Sequence, residues 1–438
     1  MIPRSPLEYG IGDQAMLPPA GTGVMPTRRV VRFGWRGCVC RARAHAVRGL
    51  QTSAPAPRLS HHWRWCSWVL PVALLACEVD RGYLAHRDQG QPAQLRIDTV
   101  QSISDDRFYG VRGVLFGSES VAILNGGSRQ VFLADSTGVR TVIGRLGRGP
   151  GEFQSVTDGV MGGDSLLVLD GVLKRVQLFV AGELAREWFL RDVPGTLRQI
   201  VPVGESGLGF AVERRGMGLL MPNQEPVFYR DSIILFVAQG ESLERRFWMS
   251  GDEGMAEPDD QGRTSYSAMG FRENVAYRMT PTGVVSVEQR SGRVRLMDWN
   301  GRTYDIVETE GDTVYVSADE LRAYWERIES TARELDDATG KAYRLAARRG
   351  VDRWNGRIPR QRFQDLVSDG VTIALREYEF ERGRTESWLF LGADGLLIGH
   401  LDMPENARLV AIDGDRLAAI TRDSMDVESI LLLRLLRR

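Results

Sequence analysis

The chain has 438 residues, 43% of them hydrophobic, which is ample for a large core and ordinary for a globular protein. Its formal net charge of −1 is unevenly divided: residues 1–76 contain ten Arg and only two acids, whereas residues 77–438 carry 46 basic and 55 acidic residues. The acidic balance of the longer part, together with the export signal described below, argues against nucleic acid as a partner.

The first 60 residues have the composition of a leader without a fold. They are rich in Pro, Gly, Ala and Arg and show no helical or strand period, so we expect disorder. No Met lies between Met25 and Met161, and we interpret much of this stretch as an over-extended gene start. Peptides from residues 1–45 in the expressed protein would contradict that interpretation. The Cys38-x-Cys40 spacing is too short for a zinc pair.

Residues 61–77 have the organisation of a secretory signal. Arg64 supplies a positive flank, and an uncharged, mostly apolar run of twelve residues, Trp65–Ala76, follows it. A membrane-spanning helix takes about 20 residues, so this run is too short to cross a bilayer comfortably. A plain signal peptide that is cut elsewhere and a short buried helix remain open as alternatives.

The end of this run resembles the lipobox of bacterial lipoproteins. The residues that carry the resemblance are Leu74-Leu75-Ala76-Cys77. The resemblance implies cleavage after Ala76 and acylation of Cys77, which would be the only cysteine of the mature chain. We therefore expect an extracytoplasmic lipoprotein anchored in either the inner or the outer membrane.

From Ser120 onward the chain alternates short apolar runs with turn signals. The same rhythm recurs at 199–249, 283–309, 365–402 and 408–436. Repetition of this length favours stacked sheet units over a single sandwich. The clearest predicted strands are 121–124, 130–135, 139–144, 164–170, 174–179, 187–190, 409–412, 417–420 and 430–433.

One repeat, residues 144–182, resembles the NHL type. Three pieces carry the resemblance: Gly149-Pro150-Gly151-Glu152-Phe153, Leu167–Asp170 and Arg175–Phe179. The resemblance implies an all-β, six-bladed propeller over residues 90–438, similar to uncharacterised exported propeller lipoproteins of bacteria. With the irregular segments set aside, about 50 residues remain for each blade. We expect Gln94–Val100 to close the ring beside Ile430–Leu436, which hides both sheet edges.

The glycine-rich stretch is predicted to be a structural junction between blades. Gly147 and Gly149 permit tight backbone passage, and Pro150-Gly151 suits the centre of a type II turn. Phe153 is expected to be buried between sheets. The stretch lacks the Gly-Lys-Ser/Thr ending of a phosphate loop. We expect Arg175 to pair with an acid such as Glu152 or Asp170.

Residues 317–350 are predicted to form a helical insertion outside the blades. Ser317 to Glu320 has the pattern of a capping box, and Tyr324, Trp325 and Ile328 fall on one helical face. Gly340 is expected to interrupt the helix. The apolar stripe either packs on the ring or belongs to a lid or docking element.

A second irregular segment, Gly251–Arg263, is rich in acids. We interpret it as a solvated loop; a calcium loop is the alternative, although the spacing does not match an EF-hand.

No catalytic residue, metal ligand or cofactor is assigned. Only His86 and His400 follow Cys77, so a three-His zinc site is excluded, and no Gly-x-Ser-x-Gly is present. A lactonase-like site would need a cluster of carboxylate and Asn oxygens. The candidates for such a cluster, all near strand ends, are Asn125, Asp135, Asp170, Asp413 and Asp415.

Together these patterns favour a monomeric propeller that binds a protein, peptide or glycan through one face of the ring. Propellers are scaffolds whose loops carry recognition, and the fold alone does not define the activity. The alternative is a calcium-type, metal-dependent hydrolase or lactonase with its site in the channel.

Acylation of Cys77 is testable by metabolic labelling with a fatty-acid analogue. The wild-type protein is expected to take up the label and to fractionate with membranes. The Cys77→Ala variant is expected to lose both properties, because the thiol is the only acceptor that the lipobox resemblance implies. Label retained by the variant would disprove the anchor.

Overall fold

The computed structural model describes residues 93–214, 227–239, 242–258, 264–267, 271–307, 314–378, 386–404 and 406–436. The predictions for residues 1–60 and 61–77, including Cys77, lie outside this part of the chain. No helix in the described part is long and apolar enough to span a membrane.

The described strands form six antiparallel sheets, numbered here as blades. Blade 1 has β2 (Val111–Phe116), β3 (Val121–Asn125), β4 (Gln130–Asp135) and β5 (Gly138–Ile143). Blade 2 has β6 (Asp158–Gly162), β7 (Ser165–Asp170), β8 (Arg175–Val180) and β9 (Glu183–Phe189). Blade 3 has β10 (Thr196–Val203), β11 (Gly207–Arg214), β12 (Val227–Gln239), β13 (Ser242–Pro258) and β14 (Thr264–Ser267).

The other three sheets follow the same plan. Blade 4 has β15 (Val275–Thr280), β16 (Gly283–Glu288), β17 (Val294–Asp298) and β18 (Thr303–Val307). Blade 5 has β19 (Phe363–Ser368), β20 (Thr372–Glu377), β21 (Ser387–Gly392) and β22 (Leu397–Asp402). Blade 6 has β23 (Ala407–Asp413), β24 (Arg416–Arg422) and β25 (Glu428–Leu436), with β1 (Arg96–Ser104) as its outer strand.

The six sheets close into a ring, so the predicted six-bladed propeller is confirmed. The first strand of each blade contacts the first strand of the next, from β2 through β6, β10, β15 and β19 to β23, which contacts β2. Apolar side chains fill the space between neighbouring blades. Ala122, Leu124 and Val131 of blade 1, for example, share one buried cluster with Val168 and Phe179 of blade 2.

Burial between two neighbours explains the composition of the central strands. All five residues of β3 are buried, because blade 1 is covered on both faces. A strand in that position needs a continuous apolar run, and Val121-Ala122-Ile123-Leu124 provides one.

The predicted ring closure is also confirmed. β1 pairs with β25 in antiparallel register, from Arg96 opposite Leu436 to Ser104 opposite Ser429. One strand from the beginning of the described chain therefore completes a blade built from its end. The pairing covers the edge of β25, which would otherwise offer unpaired backbone groups.

Two features of the sheets differ from the sequence predictions. The innermost strands β2 and β6 were not predicted. For β6 the reason is that Asp158–Gly162 has two Gly in five residues, a composition typical of turns.

The solvated loop predicted for Gly251–Arg263 is wrong for residues 251–258. There β13 continues, paired with β12 on one side and with β14 on the other. Its acids Asp252 and Glu253 are compatible with a sheet because arginines surround them.

The predicted helical insertion is confirmed as a hairpin of α1 (Ala318–Glu334) and α2 (Asp337–Asp352). Both halves of the capping box between Ser317 and Glu320 are present. Gly340 does not interrupt a helix but lies inside α2. A Cβ at this position would crowd the Ala332 carbonyl, so the glycine lets the two helices approach closely.

The hairpin lies on a defined face of the ring. In each four-stranded antiparallel blade, the first strand starts at the end where the last strand of the preceding blade finishes. The connections that leave the four-stranded blades therefore lie on one face, together with the loops between second and third strands. The hairpin joins β18 to β19, so we call this the insertion face.

Shortening a buried side chain of the closing blade is expected to destabilise the ring. Leu433 of β25 is 2% exposed, and Leu433→Ala should lower the free energy of unfolding by about 2–5 kcal/mol. Val100 of β1 is 60% exposed, and Val100→Ala should change it by less than about 0.5 kcal/mol. Urea unfolding measures both values, and equal effects would contradict the placement of the closing blade.

Candidate functional site

The Gly147–Phe153 stretch forms the connection between blades 1 and 2. The Glu152 N–H donates to the Gly149 carbonyl at 3.1 Å, and Gly151 has φ 75°, as a turn centred on Pro150-Gly151 requires. The Glu152 carboxylate accepts from the Gly149 N–H at 2.7 Å. A Cβ on Gly147 would overlap that carboxylate. Phe153 is fully buried and packs near Phe179.

Arg175 has other partners than those predicted. It is 1% exposed and pairs with Glu187 at 3.3 Å rather than with the carboxylate of Glu152 or Asp170. It also donates to the backbone carbonyls of Arg148 and Glu152. The Asp170 carboxylate is occupied by the backbone N–H groups of Gln154 and Leu173. The polar groups of this connection thus bind one another.

The five candidates for a lactonase-like cluster are not brought together. Asp135, Asp413 and Asp415 lie in turns on the face opposite the insertion, where each contacts a nearby arginine. Asn125 and Asp170 lie on the insertion face and bond to backbone groups of blade connections. Among the described residues, no group of three or more His, Cys, Asp or Glu is arranged to hold a metal ion.

A different region forms a large cleft, which we call the blade-3 cleft. It opens on blade 3 beside the connection from blade 2 and has a volume of about 1060 Å³. Its lining is Pro194, Gly195, Thr196, Arg198, Glu213, Arg214, Asp231, Ser232, Ile234, Arg245, Trp248, Asp252 and Arg272.

The register of β12 and β13 shapes the outer wall of the cleft. Trp248 pairs with Ile234, and Arg245 pairs with Phe236. A bulge between these two pairs inserts one extra residue into β13. The bulge keeps Arg245 and Trp248 on the same side of the sheet although they are three residues apart. Trp248 is 57% exposed, so its indole is accessible in the cleft.

Two acids of the cleft, Glu213 and Asp252, form hydrogen bonds and ion pairs with neighbouring residues. Glu213 pairs with Arg198 at 2.6 Å and accepts from the Tyr277 hydroxyl at 3.5 Å. Burial, reinforced by the negative Glu213, raises the pKa of Tyr277, which therefore stays a neutral donor. Asp252 accepts from the Val275 N–H at 3.0 Å and contacts Arg272 at 3.6 Å.

Two guanidinium groups of the cleft differ from these paired charges. Arg214 and Arg245 have no hydrogen-bond or ion-pair partner within the part of the chain that the structure describes. With the exposed indole of Trp248, they give the cleft two available cations and one flat apolar surface. This combination suits the binding of a ligand that has both an anionic group and an apolar face.

An ion-pair cluster next to the cleft joins blade 3, blade 4 and the helical insertion. We call it the Glu253 cluster; it consists of Arg230, Glu253, Glu273, Arg290 and Arg353. The Glu253 carboxylate lies 3.1 Å from Arg230, 3.3 Å from Arg290 and 3.2 Å from Arg353. Glu273 contacts Arg230 and, at 3.8 Å, Arg290. Because Arg353 follows α2 and Arg290 follows β16, the cluster anchors the insertion to two blades.

An aromatic ring reinforces this anchor. The guanidinium groups of Arg290 and Arg353 each lie 4.5 Å from the centre of the Trp354 ring, at cation–π distance. Burial by itself raises the pKa of Glu253, but the Glu273 N–H and the arginines Arg353, Arg290 and Arg230 together outweigh it. The pKa therefore lies below its ordinary value, and Glu253 is ionised at neutral pH.

The apolar stripe of α1 faces inward. Tyr324 and Ile328 are buried with Ala347 of α2, and Trp325 is partly buried beside them. Phe271, which precedes the cleft residue Arg272, contacts the Tyr324 ring at 4.6 Å. The insertion is thus linked to the cleft wall through one aromatic contact. The docking role of these three α1 residues stays a prediction.

Sequence reasoning did not find Trp248, Arg214 or Arg245. They belong to no motif, and Arg245 and Trp248 share a side only because of the bulge in β13. The one available signal was a large aromatic residue in a strand otherwise rich in charge, Ser242-Leu243-Glu244-Arg245-Arg246-Phe247-Trp248.

No family model and no curated protein matches the sequence. Solved structures with a similar chain path include a member of the DUF4221 family from Bacteroides vulgatus, with 9% identity and a TM-score of 0.45 over 80% of this chain and 100% of that one. An exported protein from Bacteroides fragilis has 10% identity and a TM-score of 0.42 over 78% and 95%. A gluconolactonase from Xanthomonas campestris has 11% identity and a TM-score of 0.40 over 80% and 96%.

The Glu253 cluster is expected to make stability depend on pH. The pKa of Glu253 is lower in the folded chain than in the unfolded one. The ionised carboxylate therefore contributes to the free energy of unfolding above about pH 4.5, and this contribution is lost as the pH falls through the folded-state pKa. Glu253→Gln should cost about 1–3 kcal/mol of unfolding free energy at pH 7. The variant should also lose less stability than the wild type as the pH falls below about 4.5, the ordinary pKa of the group.

Urea unfolding at pH 7 and pH 4 measures this difference. The matched control is Glu329→Gln, which removes an exposed ion pair with Arg344 and should change stability by less than about 0.5 kcal/mol. Equal acid sensitivity of the wild type and Glu253→Gln would show that Glu253 does not cause it.

Proposed function

We propose that the protein is an extracytoplasmic, lipid-anchored propeller that binds a protein, peptide or glycan in the blade-3 cleft. The observation that carries the proposal is the convergence of exposed Trp248 with Arg214 and Arg245 in one cleft of about 1060 Å³. Tryptophan and arginine are enriched in binding hot spots. In this protein Arg214 lies at the end of β11, and Arg245 and Trp248 lie on β13. The lipobox at Cys77 supports anchorage outside the cytoplasm.

The surroundings of the cleft support binding through a preorganised surface. Trp248 and Arg245 lie on β13, which pairs with β12 along this stretch, and the Glu253 cluster joins the continuation of β13 to blade 4 and to the insertion. Because these walls are tied by sheet ladders and ion pairs, little ordering is needed when a ligand enters.

A calcium-type hydrolase or lactonase is the less favoured function. Such a site needs several carboxylate and amide oxygens at one point. Asp135 and Asp413 lie on the face opposite Asn125 and Asp170, and all four bind local partners. No observation of comparable weight supports the hydrolase.

Capture from native extracts tests the proposed site. Full-length protein is used as bait on membrane and extracellular extracts of the source cells, and mass spectrometry identifies the bound protein and carbohydrate. Trp248→Ala should lose the captured material, because the exposed indole is the main contact surface of the cleft. Tyr109→Ala is the matched control, since Tyr109 is 72% exposed in the connection from blade 6 to blade 1. Identical capture by Trp248→Ala and wild type would reject the cleft as the binding site.

A further inference from the structure

We propose that the ligand of the blade-3 cleft is an acidic carbohydrate, a saccharide whose sugar rings carry carboxylates, as in uronic acids. This inference rests on the proposed function, because it names the chemical class of ligand for that same site. Three properties of the lining carry it: a flat aromatic surface, available cations and several acceptor groups.

The aromatic surface is the Trp248 indole. Its side chain projects from β13 beside Ile234 and is 57% exposed. A sugar ring has an apolar face of C–H groups and a polar edge of hydroxyls. Stacking of that face on the indole removes both from water and leaves the hydroxyls free for the neighbouring polar groups.

The available cations are Arg214 and Arg245. Within the described residues neither has an ion-pair partner, whereas Arg198 and Arg272 of the same cleft pair with Glu213 and Asp252. A free guanidinium presents a planar fork of N–H donors that matches a carboxylate in bidentate geometry. Arg214 and Arg245 can therefore bind one or two carboxylates of a ligand.

The acceptor groups favour a saccharide over an acidic peptide. Glu213, Asp231 and Asp252 bring three carboxylates into the lining, with the hydroxyls of Thr196 and Ser232. An ionised carboxylate only accepts hydrogen bonds, so it favours a ligand that supplies O–H donors. An acidic peptide has few such donors. A uronate offers hydroxyl donors and a single carboxylate on each ring.

The size of the cleft favours a chain of sugars over one monosaccharide. Ligand pockets usually have volumes of about 300–1,000 Å³, and the volume here is about 1060 Å³. We therefore infer an oligosaccharide or polysaccharide with uronate units.

Calorimetric titration of the full-length protein tests the inference. The probes are trisaccharides of galacturonate, mannuronate and guluronate, the neutral galactose trisaccharide and a hexaglutamate peptide. At least one uronate trisaccharide is expected to bind at least tenfold more tightly than the neutral sugar or the peptide. Raising the salt concentration should weaken uronate binding, because ion pairs with partly exposed guanidinium groups are screened.

Variants assign the contacts. Trp248→Ala should weaken uronate binding at least tenfold, with partial recovery in Trp248→Phe. Arg245→Gln should weaken uronate binding about fivefold and leave the weak binding of the neutral sugar unchanged. Arg96→Gln is the matched control for charge, because Arg96 is exposed on β1 at the other side of the ring. Unchanged thermal unfolding of each variant confirms that the fold is intact.

Two outcomes overturn the inference and separate it from the proposed function. If no uronate binds, or if the peptide binds more tightly, while capture from native extracts still depends on Trp248, the acidic carbohydrate is wrong and the cleft remains a binding site. If capture from native extracts is also independent of Trp248, the proposed function fails together with the inference.

Discussion

The pairing of β1 with β25 holds the ring together, because it joins the two ends of the described chain within one blade. Without β1, blade 6 would have three strands and an open edge. The buried Glu428 carboxylate strengthens the same junction by accepting from the Val111 N–H of blade 1 at 2.6 Å. Each blade packs against its two neighbours in the ring, so the geometry of the blade-3 cleft depends on a closed ring.

The parts of the chain that differ from blade to blade lie on the insertion face of the ring. The extended β12 and β13 and the helical hairpin stand there and meet at the Glu253 cluster. This junction is built mainly from charges, and it is stable because each buried carboxylate faces more than one arginine. The Glu253 cluster joins blade 3 to blade 4 and to the helical insertion, and the blade-3 cleft lies next to it.

Local patterns in the sequence were sufficient for much of the fold. Continuous apolar runs such as 121–124 predicted central strands, the Pro150-Gly151 turn marked a blade connection, and Ser317 with Glu320 marked the start of α1. The extension of β13 through Glu253 was missed, since five acids within thirteen residues are typical of a solvated loop. The arginines that neutralise it come from positions 230, 290 and 353, which no local pattern connects.

The sequence by itself determined most of the strands and the helical insertion, because period-two apolar patterns, turn residues and caps act over a few neighbouring residues. The number of blades and the closing pair were implied by the resemblance of one repeat to the NHL type. Only the tertiary structure decided the site. The bulge in β13 sets Arg245 and Trp248 on one side, and ring packing pairs Arg198 and Arg272 with acids while Arg214 and Arg245 keep no partner among the described residues. These properties depend on strand register and on distances between segments far apart in the chain, which local composition does not encode.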